Sequence, residues 1–249
     1  MTDLSGEVAL VTGATAGLGY RFAKVLAEAG AHVAVVGRRR EKLEALVAEI
    51  EAAGGKAFAI QADLADAGAL AEIVRNAEEA LGLVTILVNN AGIPDAELAT
   101  RMPIELIDAV LDINVRAPFI LSREVALRLI EEEKPGRIVN IASMAAFNYP
   151  GNGSSLYATS KAAVVRMTEV LSTEWARYGI NVNAIAPGAF RSEMMEGMIA
   201  RIGDVAQAFP RKRLGEPDEL DGTLLYLVSS DSAFVTGTCI KVDDGQFLK

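Results

Sequence analysis

The chain of 249 residues contains little cysteine, histidine or positive charge. Its one cysteine, Cys239, excludes an intramolecular disulfide framework and is typical of a reducing compartment. With a single histidine, His32, the chain has no cysteine and histidine cluster at zinc-site spacing, so we expect no metal. The 24 lysines and arginines are outnumbered by 33 acidic residues, giving a net charge of −9. This balance argues against nucleic acid or an anionic membrane as the main partner.

Long apolar runs are also absent. The first residues, Met1–Gly6, lack both the basic and the apolar part of a signal peptide. No run approaches the roughly 18 apolar residues that a membrane helix requires. No Pro/Ser-rich linker or low-complexity segment divides the chain. We therefore expect one soluble, cytoplasmic domain that spans residues 1–249.

The sequence does contain a regular alternation of short apolar runs with segments of helical periodicity. The first strand is predicted at Val8–Val11, and Phe22, Val25, Leu26 and Ala29 form one face of the helix that follows. Such alternation indicates parallel strands joined by right-handed crossovers, so the predicted fold class is α/β, a doubly wound Rossmann-type sheet of about seven strands. Further strands are predicted near 32–37, 57–61, 84–89, 137–142, 181–186 and 239–243, and further helices near 40–53, 67–81, 104–133, 156–178 and 217–229.

A glycine-rich turn, Thr12-Gly13-Ala14-Thr15-Ala16-Gly17-Leu18-Gly19, follows the first strand and opens the first helix. Glycines allow the backbone to approach a pyrophosphate, and the helix N-terminus offers N–H donors and a favourable dipole. A tight strand–helix turn is the alternative for such a loop taken alone. Its placement favours a dinucleotide site, with the cofactor-binding residues Gly13, Thr15, Ala16, Gly17, Leu18 and Gly19.

The second strand ends in Val36-Gly37-Arg38-Arg39-Arg40. A fold of this type that prefers NAD usually carries an acid here, which holds the ribose 2′-hydroxyl. Arginines suit a 2′-phosphate instead, because guanidinium groups bind phosphate in a bidentate manner. The alternative is a solvated basic start to a helix. The sequence therefore favours NADP(H) over NAD(H), with Arg38 and Arg39 as contacts.

A candidate catalytic set lies further along the chain. Tyr157 and Lys161 stand at positions i and i+4 on one face of a predicted helix, where the ammonium favours the phenolate. Ser143 ends a predicted strand fourteen residues earlier. The segment Asn89–Gly92 follows the fourth strand at the carboxyl edge, where open α/β sheets bind ligands. Asn114 lies in the middle of a predicted helix, a position that amides do not favour.

With these motifs in this order, residues 5–246 resemble a full-length short-chain dehydrogenase/reductase. Asp63, Pro187-Gly188, Arg213–Pro217 and Val242–Gly245 match the family as well. The resemblance implies an NAD(P)-dependent oxidoreductase that interconverts a secondary alcohol and a ketone of a small molecule, and a homotetramer formed through the long helices. The chain departs from the family in two places: Ala16 stands where many members that use NADP have a basic residue, and the interval from Ser143 to Tyr157 is one residue longer than is commonest.

The resemblance also implies roles for the catalytic residues. Tyr157 is the general acid for ketone reduction or the base for alcohol oxidation, and Lys161 lowers its pKa and holds the nicotinamide ribose. Ser143 polarises the carbonyl, and Asn114 holds a water that relays protons to Lys161. It also implies that Asp63 meets the adenine, that Asn90 lines the cofactor cleft and that the segment Pro187–Ser192 contacts the nicotinamide and its phosphates. The further cofactor-binding residues that it implies are Leu64, Ala91, Gly92 and, within that segment, Pro187, Gly188, Phe190 and Ser192.

Two segments are expected to determine the substrate. Residues 189–212, rich in methionine and phenylalanine, are predicted either to close over the substrate or to form an amphipathic helix packed on the core. The loop 144–152, with Phe147 and Tyr149, is expected to form the other wall of the pocket. Arg191 is interpreted as an exposed, salt-bridged arginine rather than as a substrate contact.

Two alternative functions remain open. The first is a reductase of 3-oxoacyl groups on acyl carrier protein, although Glu131-Glu132-Glu133-Lys134 would repel such an acidic carrier. The second is a protein that binds NADP(H) as a sensor without catalysis. A sensor would be expected to lose Ser143, Tyr157 or Lys161, and the chain retains all three.

Overall fold

The structure, a computed structural model, describes residues 2–148 and 153–247. Within these ranges, seven parallel strands form one sheet in the order β3-β2-β1-β4-β5-β6-β7. The strands are β1 Val8–Thr12, β2 His32–Gly37, β3 Lys56–Gln61, β4 Ile86–Asn89, β5 Gly136–Ile141, β6 Ile180–Pro187 and β7 Cys239–Val242. The helices are α1 Gly17–Glu28, α2 Arg40–Ala52, α3 Ala69–Leu81, α4 Ile104–Leu111, α5 Ala117–Glu131, α6 Ser155–Trp175, α7 Glu193–Ile202 and α8 Asp221–Val228. The predicted doubly wound α/β fold is confirmed.

The strand order reverses between β1 and β4, so their carboxyl ends open a crevice between them. Val11 pairs with Val88 across this junction, and Thr12 pairs with Val36 on the other side of β1. The register therefore brings the glycine turn after β1 beside both the end of β2 and the Asn89–Gly92 segment. The candidate site is built at this edge of the sheet.

Apolar cores cover both faces of the sheet, which is why β1 and β6 are buried along their whole length. On one face, Leu70 of α3, Leu121 of α5 and Trp175 of α6 pack against the strands. On the other face, Phe22 of α1 and residues of α2 and α8 do so. Each large side chain buried in this way contributes roughly 1.5–3 kcal/mol.

The stretch predicted as one helix over 104–133 is interrupted. A π turn at Asp112–Arg116 separates α4 from α5, and the Ala117 N–H donates to the Asp112 carbonyl across five residues. Such turns are frequent at functional sites, and this one contains the buried Asn114. The predicted helix 217–229 likewise begins with a 3-10 turn, Pro217–Leu220, before α8.

No helix of the described ranges is long and apolar enough to cross a membrane. Across the same residues, no group of three or more histidine, cysteine, aspartate or glutamate side chains is arranged to hold a metal ion.

Candidate active site

The glycine turn after β1 has the backbone that its sequence predicts. Gly13 and Gly17 have φ angles of +67° and +57°, a left-handed conformation that favours glycine. A Cβ on Gly19 would lie 2.4 Å from both the Gly13 carbonyl oxygen and Nδ2 of Asn90. The turn thus leaves little room for side chains at these positions, and α1 begins within it at Gly17.

A network of hydrogen bonds fastens this turn to the end of β4. The buried Thr12 hydroxyl accepts from the backbone N–H groups of Asn90 and Ala91, at 3.1 Å each. In return, Nδ2 of Asn90 donates to the carbonyl oxygens of Thr12, at 2.9 Å, and Gly13, at 3.3 Å. Asn90, which the sequence assigned to the cofactor cleft, therefore holds the glycine turn through its side chain.

The arginines after β2 lie beside the glycine turn. Gly37 has no room for a side chain, because a Cβ would lie 2.6 Å from Cγ2 of Thr15. Arg39 donates to the Thr15 hydroxyl at 2.7 and 3.1 Å. Arg38 is exposed, and its side chain has no hydrogen bond or ion pair within the described ranges. Arg39 therefore brings a basic group directly to the glycine turn.

A carboxylate 154 residues further along the chain binds Arg39 and also Lys42. Glu193, the first residue of α7, lies 3.0 Å from Nη1 of Arg39 and 2.9 Å from Nζ of Lys42. The hydrogen bond from Arg39 and then that from Lys42 lower the pKa of Glu193 to about 2. Neither Lys42 nor Glu193 was singled out in the sequence, where no spacing relates them.

The other expected cofactor residues surround the crevice in different ways. Asp63 is exposed and accepts from the Ala65 N–H, whereas Leu64 is buried. Pro187 ends β6, and Gly188 follows it so tightly that a Cβ would lie 2.4 Å from Oε1 of Gln246. Phe190 is buried, and its ring fills the space beside Gly215. Its side chain therefore belongs to the core, so only its backbone remains available to a cofactor.

Tyr157 and Lys161 lie in the first two turns of α6, as predicted. Nζ of Lys161 is 5.7 Å from the centre of the Tyr157 ring. It donates to the Ile141 carbonyl oxygen at 2.7 Å, and the lysine is only 4% exposed. The Ser143 hydroxyl, two residues beyond β5, forms a hydrogen bond with the Tyr157 phenol. The structure thus brings Ser143, Tyr157 and Lys161 together at the carboxyl edge.

Burial dominates the electrostatics of this group. It raises the pKa of Tyr157 above its usual value, against the hydrogen bond from Ser143, which lowers it, and with the charge of Asp95, which raises it. Burial also lowers the pKa of Lys161 to about 8. Burial thus outweighs the other causes of the shift at Tyr157, and Nζ of Lys161 is engaged by the Ile141 carbonyl oxygen. That Lys161 lowers the pKa of Tyr157 stays a prediction.

Asn114 is held at the π turn by its own amide. Its Oδ1 accepts from the Ile93 N–H at 2.9 Å, and its Nδ2 donates to the Ile93 carbonyl and the Ser160 hydroxyl, both at 3.0 Å. A Cβ on Gly92 would lie 3.2 Å from Nζ of Lys161 and 3.4 Å from Oδ1 of Asn114. Asn114 and Lys161 therefore meet around Gly92, although no direct hydrogen bond joins them.

The segment 189–212 contains α7 and a short 3-10 turn. Met195, Ile199 and Phe209 pack inward on a small cluster of Ala189, Ala206 and Leu214, whereas Met194 is partly exposed. Ser192 caps α7 and lies close to the glycine turn, because a Cβ on Gly17 would be 3.2 Å from Cβ of Ser192. Arg191 is exposed and paired with Glu216, as predicted. The segment thus combines a packed face with an exposed one.

The opposite wall is described only in part. Phe147 is half exposed, and Nζ of Lys241 lies 4.0 Å from the centre of its ring. Tyr149, which the sequence assigned to this wall, lies outside the described residues.

Comparisons with known proteins agree with this geometry. A family profile described as short chain dehydrogenase matches residues 7–202. A 3-oxoacyl-acyl-carrier-protein reductase from Synechocystis sp. is 37% identical and covers 100% of both chains. A 2-dehydro-3-deoxy-D-gluconate 5-dehydrogenase from Dickeya dadantii is also 37% identical, over 98% of this chain and 96% of its own. A blue fluorescent protein from a metagenomic library, solved in complex with NADPH, aligns with a TM-score of 0.91 at 34% identity, over 99% of this chain and 100% of its own.

The chain therefore belongs to the short-chain dehydrogenase/reductase family. It is an oxidoreductase of the class that acts on CH–OH and C=O groups. The family binds NAD or NADP, and the residues of this chain fit such a nucleotide. The fit rests on the glycine turn, where a Cβ would fill the cradle at Gly19, and on the basic groups beside Thr15.

Proposed function

We propose that this enzyme interconverts a secondary alcohol and a ketone with NADP(H), using Tyr157 as the acid–base group. The observation that carries the proposal is the hydrogen bond between Ser143 and Tyr157 beside the buried Lys161, at the edge of the sheet that holds the nucleotide cradle. When bound, the cofactor supplies or accepts the hydride.

The side chains of the enzyme handle the oxygen and its proton. In ketone reduction, the Tyr157 hydroxyl donates its proton to the carbonyl oxygen, and the Ser143 hydroxyl donates a hydrogen bond to the same oxygen. A phenol whose pKa is raised by burial keeps its proton at neutral pH, which suits a donor. Lys161, with its pKa near 8, is close enough to neutrality to supply the replacement proton, and Asn114 holds the turn beside it.

NADP(H) rather than NAD(H) is proposed from the charges after β2. Arg39 lies against the Thr15 hydroxyl, and Lys42 reaches the same Glu193 carboxylate as Arg39 does. Arg38 precedes Arg39 in the chain, and Gly37 offers no acidic side chain. Support also comes from the relative that is solved with NADPH. Arg39 and Arg38 are the proposed contacts of the 2′-phosphate, because a guanidinium binds phosphate with two parallel hydrogen bonds.

A 3-oxoacyl reductase is the second candidate, favoured by the Synechocystis relative. The Dickeya relative, equally similar, is named for a sugar acid instead. Glu131, Glu132 and Glu133 are exposed at the amino edge of the sheet, so they bear on docking of a carrier protein rather than on the pocket. We therefore propose a small free substrate first and an acyl carrier second.

We further propose a homotetramer located in the cytoplasm. Exposed apolar side chains on the long helices support an assembly, among them Leu111, Phe119 and Leu127 on the α4–α5 stretch and Val170 on α6. Light scattering of the purified protein tests the assembly, and a monomer at micromolar concentration contradicts it.

A spectrophotometric screen at 340 nm tests the reaction. Both cofactors are assayed against sugar acids, polyols, cyclic alcohols and hydroxyacyl thioesters, the last both free and attached to acyl carrier protein. With the best substrate, Tyr157→Phe is expected to lower kcat about 10²- to 10⁴-fold and to leave cofactor affinity unchanged. Wild-type turnover by this variant contradicts the proposal. Tight NADP(H) binding without turnover on any substrate supports the sensor instead.

A further inference from the structure

Asp95 is a buried carboxylate that the proposed reaction does not use. It lies in the loop after β4 and is 4% exposed. Its Oδ2 accepts from the backbone N–H groups of Leu156, at 2.8 Å, and Tyr157, at 3.1 Å. Its Oδ1 accepts from the Ala96 N–H at 2.7 Å. Both of its oxygens are therefore engaged, and two of the three bonds hold the start of α6.

The start of a helix has N–H groups without partners inside the helix, and a side chain at the N-cap usually accepts from one of them. At the start of α6, Asp95 accepts from two such N–H groups, and it lies 61 residues before Leu156 in the chain. The carboxylate is also well placed for the helix dipole. Two hydrogen bonds from Asp95 thus fix the first turn of α6 to the β4 loop.

The same corner of the β4 loop contacts the segment over the pocket. Nη1 of Arg201, in the last turn of α7, donates to the Ala96 carbonyl oxygen at 3.1 Å. Ala96 has a φ of +55°, a conformation that costs energy for a residue other than glycine. The Asp95–Ala96 corner therefore joins the helix that carries Tyr157 to the helix that covers the pocket.

We propose that Asp95 is a positioning residue of this enzyme: its carboxylate holds the first turn of α6 against the β4 loop and so fixes where the Tyr157 hydroxyl meets the substrate oxygen. The inference rests on the proton-transfer role that is proposed for Tyr157. Backbone placement matters here, because a reacting group that is misplaced by about 1 Å can lose about a hundredfold in rate.

The charge of Asp95 gives the proposal a second readout. Three groups act on the Tyr157 phenol: Lys161 on its own helix, the Ser143 hydroxyl after β5, and Asp95 after β4. Burial contributes most to the raised pKa of Tyr157, and the Asp95 charge adds to it. Removing that charge is expected to lower the pKa of Tyr157.

The test compares Asp95→Asn, which keeps the shape and an acceptor oxygen, with Asp95→Ala, which removes both. We expect kcat to fall about tenfold in Asp95→Ala and to be partly restored in Asp95→Asn, with KM for the cofactor unchanged. In alcohol oxidation, the base form of Tyr157 is needed, so the pH midpoint of kcat is expected to move to lower pH in Asp95→Asn. The matched control is Asp108→Asn on the exposed face of α4, which should change neither quantity.

Hydrogen exchange supplies a readout that needs neither substrate nor cofactor. The amides of Leu156 and Tyr157 should exchange at least tenfold faster in Asp95→Ala, which lacks the acceptor, than in the wild type, and those in the middle of α6 should not. A wild-type kcat and pH midpoint in both Asp95 variants, or slow exchange of these two amides, overturns the proposal. Tyr157→Phe is assayed in parallel: if it keeps full turnover, the proposed function itself fails and the role of Asp95 fails with it.

Discussion

Arg39 and Glu193 connect the end of β2 and the glycine turn with α7. Nη1 of Arg39 lies 3.0 Å from each carboxylate oxygen of Glu193, across 154 residues of sequence. Lys42 reaches the same carboxylate at 2.9 Å. Two of the cations near the proposed 2′-phosphate position are therefore paired with α7. A phosphate bound there would compete with Glu193 for them.

This relationship predicts that Glu193→Gln strengthens binding of nucleotides that carry a 2′-phosphate. The variant removes the competing charge, so the affinity for 2′,5′-ADP and NADP should rise about two- to fivefold, a range set by the small free energy of exposed ion pairs. The affinity for NAD, which lacks the phosphate, should stay the same. Isothermal titration calorimetry at low salt measures both.

The matched control for this change is Glu196→Gln, one turn further along α7. Glu196 is exposed and has no ion pair within the described ranges. It should leave both affinities unaltered. An equal gain for NAD and NADP in Glu193→Gln would mean that the effect comes from the mobility of α7 and not from competition.

Removing the guanidinium groups should act in the opposite direction. Arg39→Ala and Arg38→Ala are each expected to weaken NADP binding about tenfold or more, because a charge-assisted hydrogen bond contributes about 1.5–3 kcal/mol. Binding of NAD should change less than twofold. The control is Arg40→Ala, because Arg40 pairs with Glu44 on its own helix. If neither variant changes the preference between the cofactors, the arginine cluster is only a solvated helix start.

Most of the fold could be predicted from the sequence, because the alternation of apolar runs and helical periodicity is a local property. The β2 strand, for example, was predicted at 32–37 and is observed at His32–Gly37. The π turn at Asn114 escaped prediction, since a single inserted residue in a helix leaves the apolar periodicity on either side almost unchanged. The only sign of the π turn in the sequence is Asn114, an amide in the middle of a predicted helix.

The proximity of the site residues follows from spacing alone only where a motif is contiguous, whereas Ser143, Asn114 and Asn90 were named from the family resemblance. Tyr157 and Lys161 are one helical turn apart, so their proximity follows from the sequence. Asp95 caps α6 from 61 residues away, and Glu193 meets Arg39 only in the folded chain. Burial raises the pKa of Tyr157, against the lowering that is predicted from Lys161. Desolvation depends on what covers a side chain, which a linear motif does not show.

Burial of Lys161 should make the stability of the protein depend on pH. Its pKa is lowered from 10.5 to about 8 in the native state. Below pH 8 the lysine is protonated in both states, whereas between pH 8 and 10.5 only the unfolded state holds the proton. Stability from this group therefore rises with pH across that window, by on the order of 3 kcal/mol. Lys161→Met should remove this rise.

Urea unfolding at pH 7, 8, 9 and 10 measures the effect as the difference between the wild type and Lys161→Met. Taking the difference cancels groups distant from Lys161 that titrate in the same range. Lys134→Met, which changes an exposed lysine, should follow the wild type at every pH. A constant difference between the wild type and Lys161→Met from pH 7 to pH 10 would show that Lys161 is not desolvated in solution.

Two glycine substitutions should have opposite effects on stability. Gly19→Ala places a Cβ 2.4 Å from the Gly13 carbonyl and from Nδ2 of Asn90, so the glycine turn must shift. We expect a loss of about 1–3 kcal/mol in the free energy of unfolding and weaker binding of NADP and NAD alike. Gly222 on α8 has nothing within 4 Å of its Cβ position and lies in a helix. Gly222→Ala should therefore raise stability by up to about 1 kcal/mol and leave nucleotide affinity unchanged.

Thermal unfolding and nucleotide titration of both variants separate the two effects. If the turn after β1 faces the pyrophosphate as proposed, Gly19→Ala should bind the dinucleotide more weakly even where the protein is fully folded. The reason is that the atoms displaced by the new Cβ belong to this turn. If Gly19→Ala folds and binds NADP as tightly as Gly222→Ala does, the turn after β1 tolerates a side chain, and the proposed position of the pyrophosphate against it is wrong.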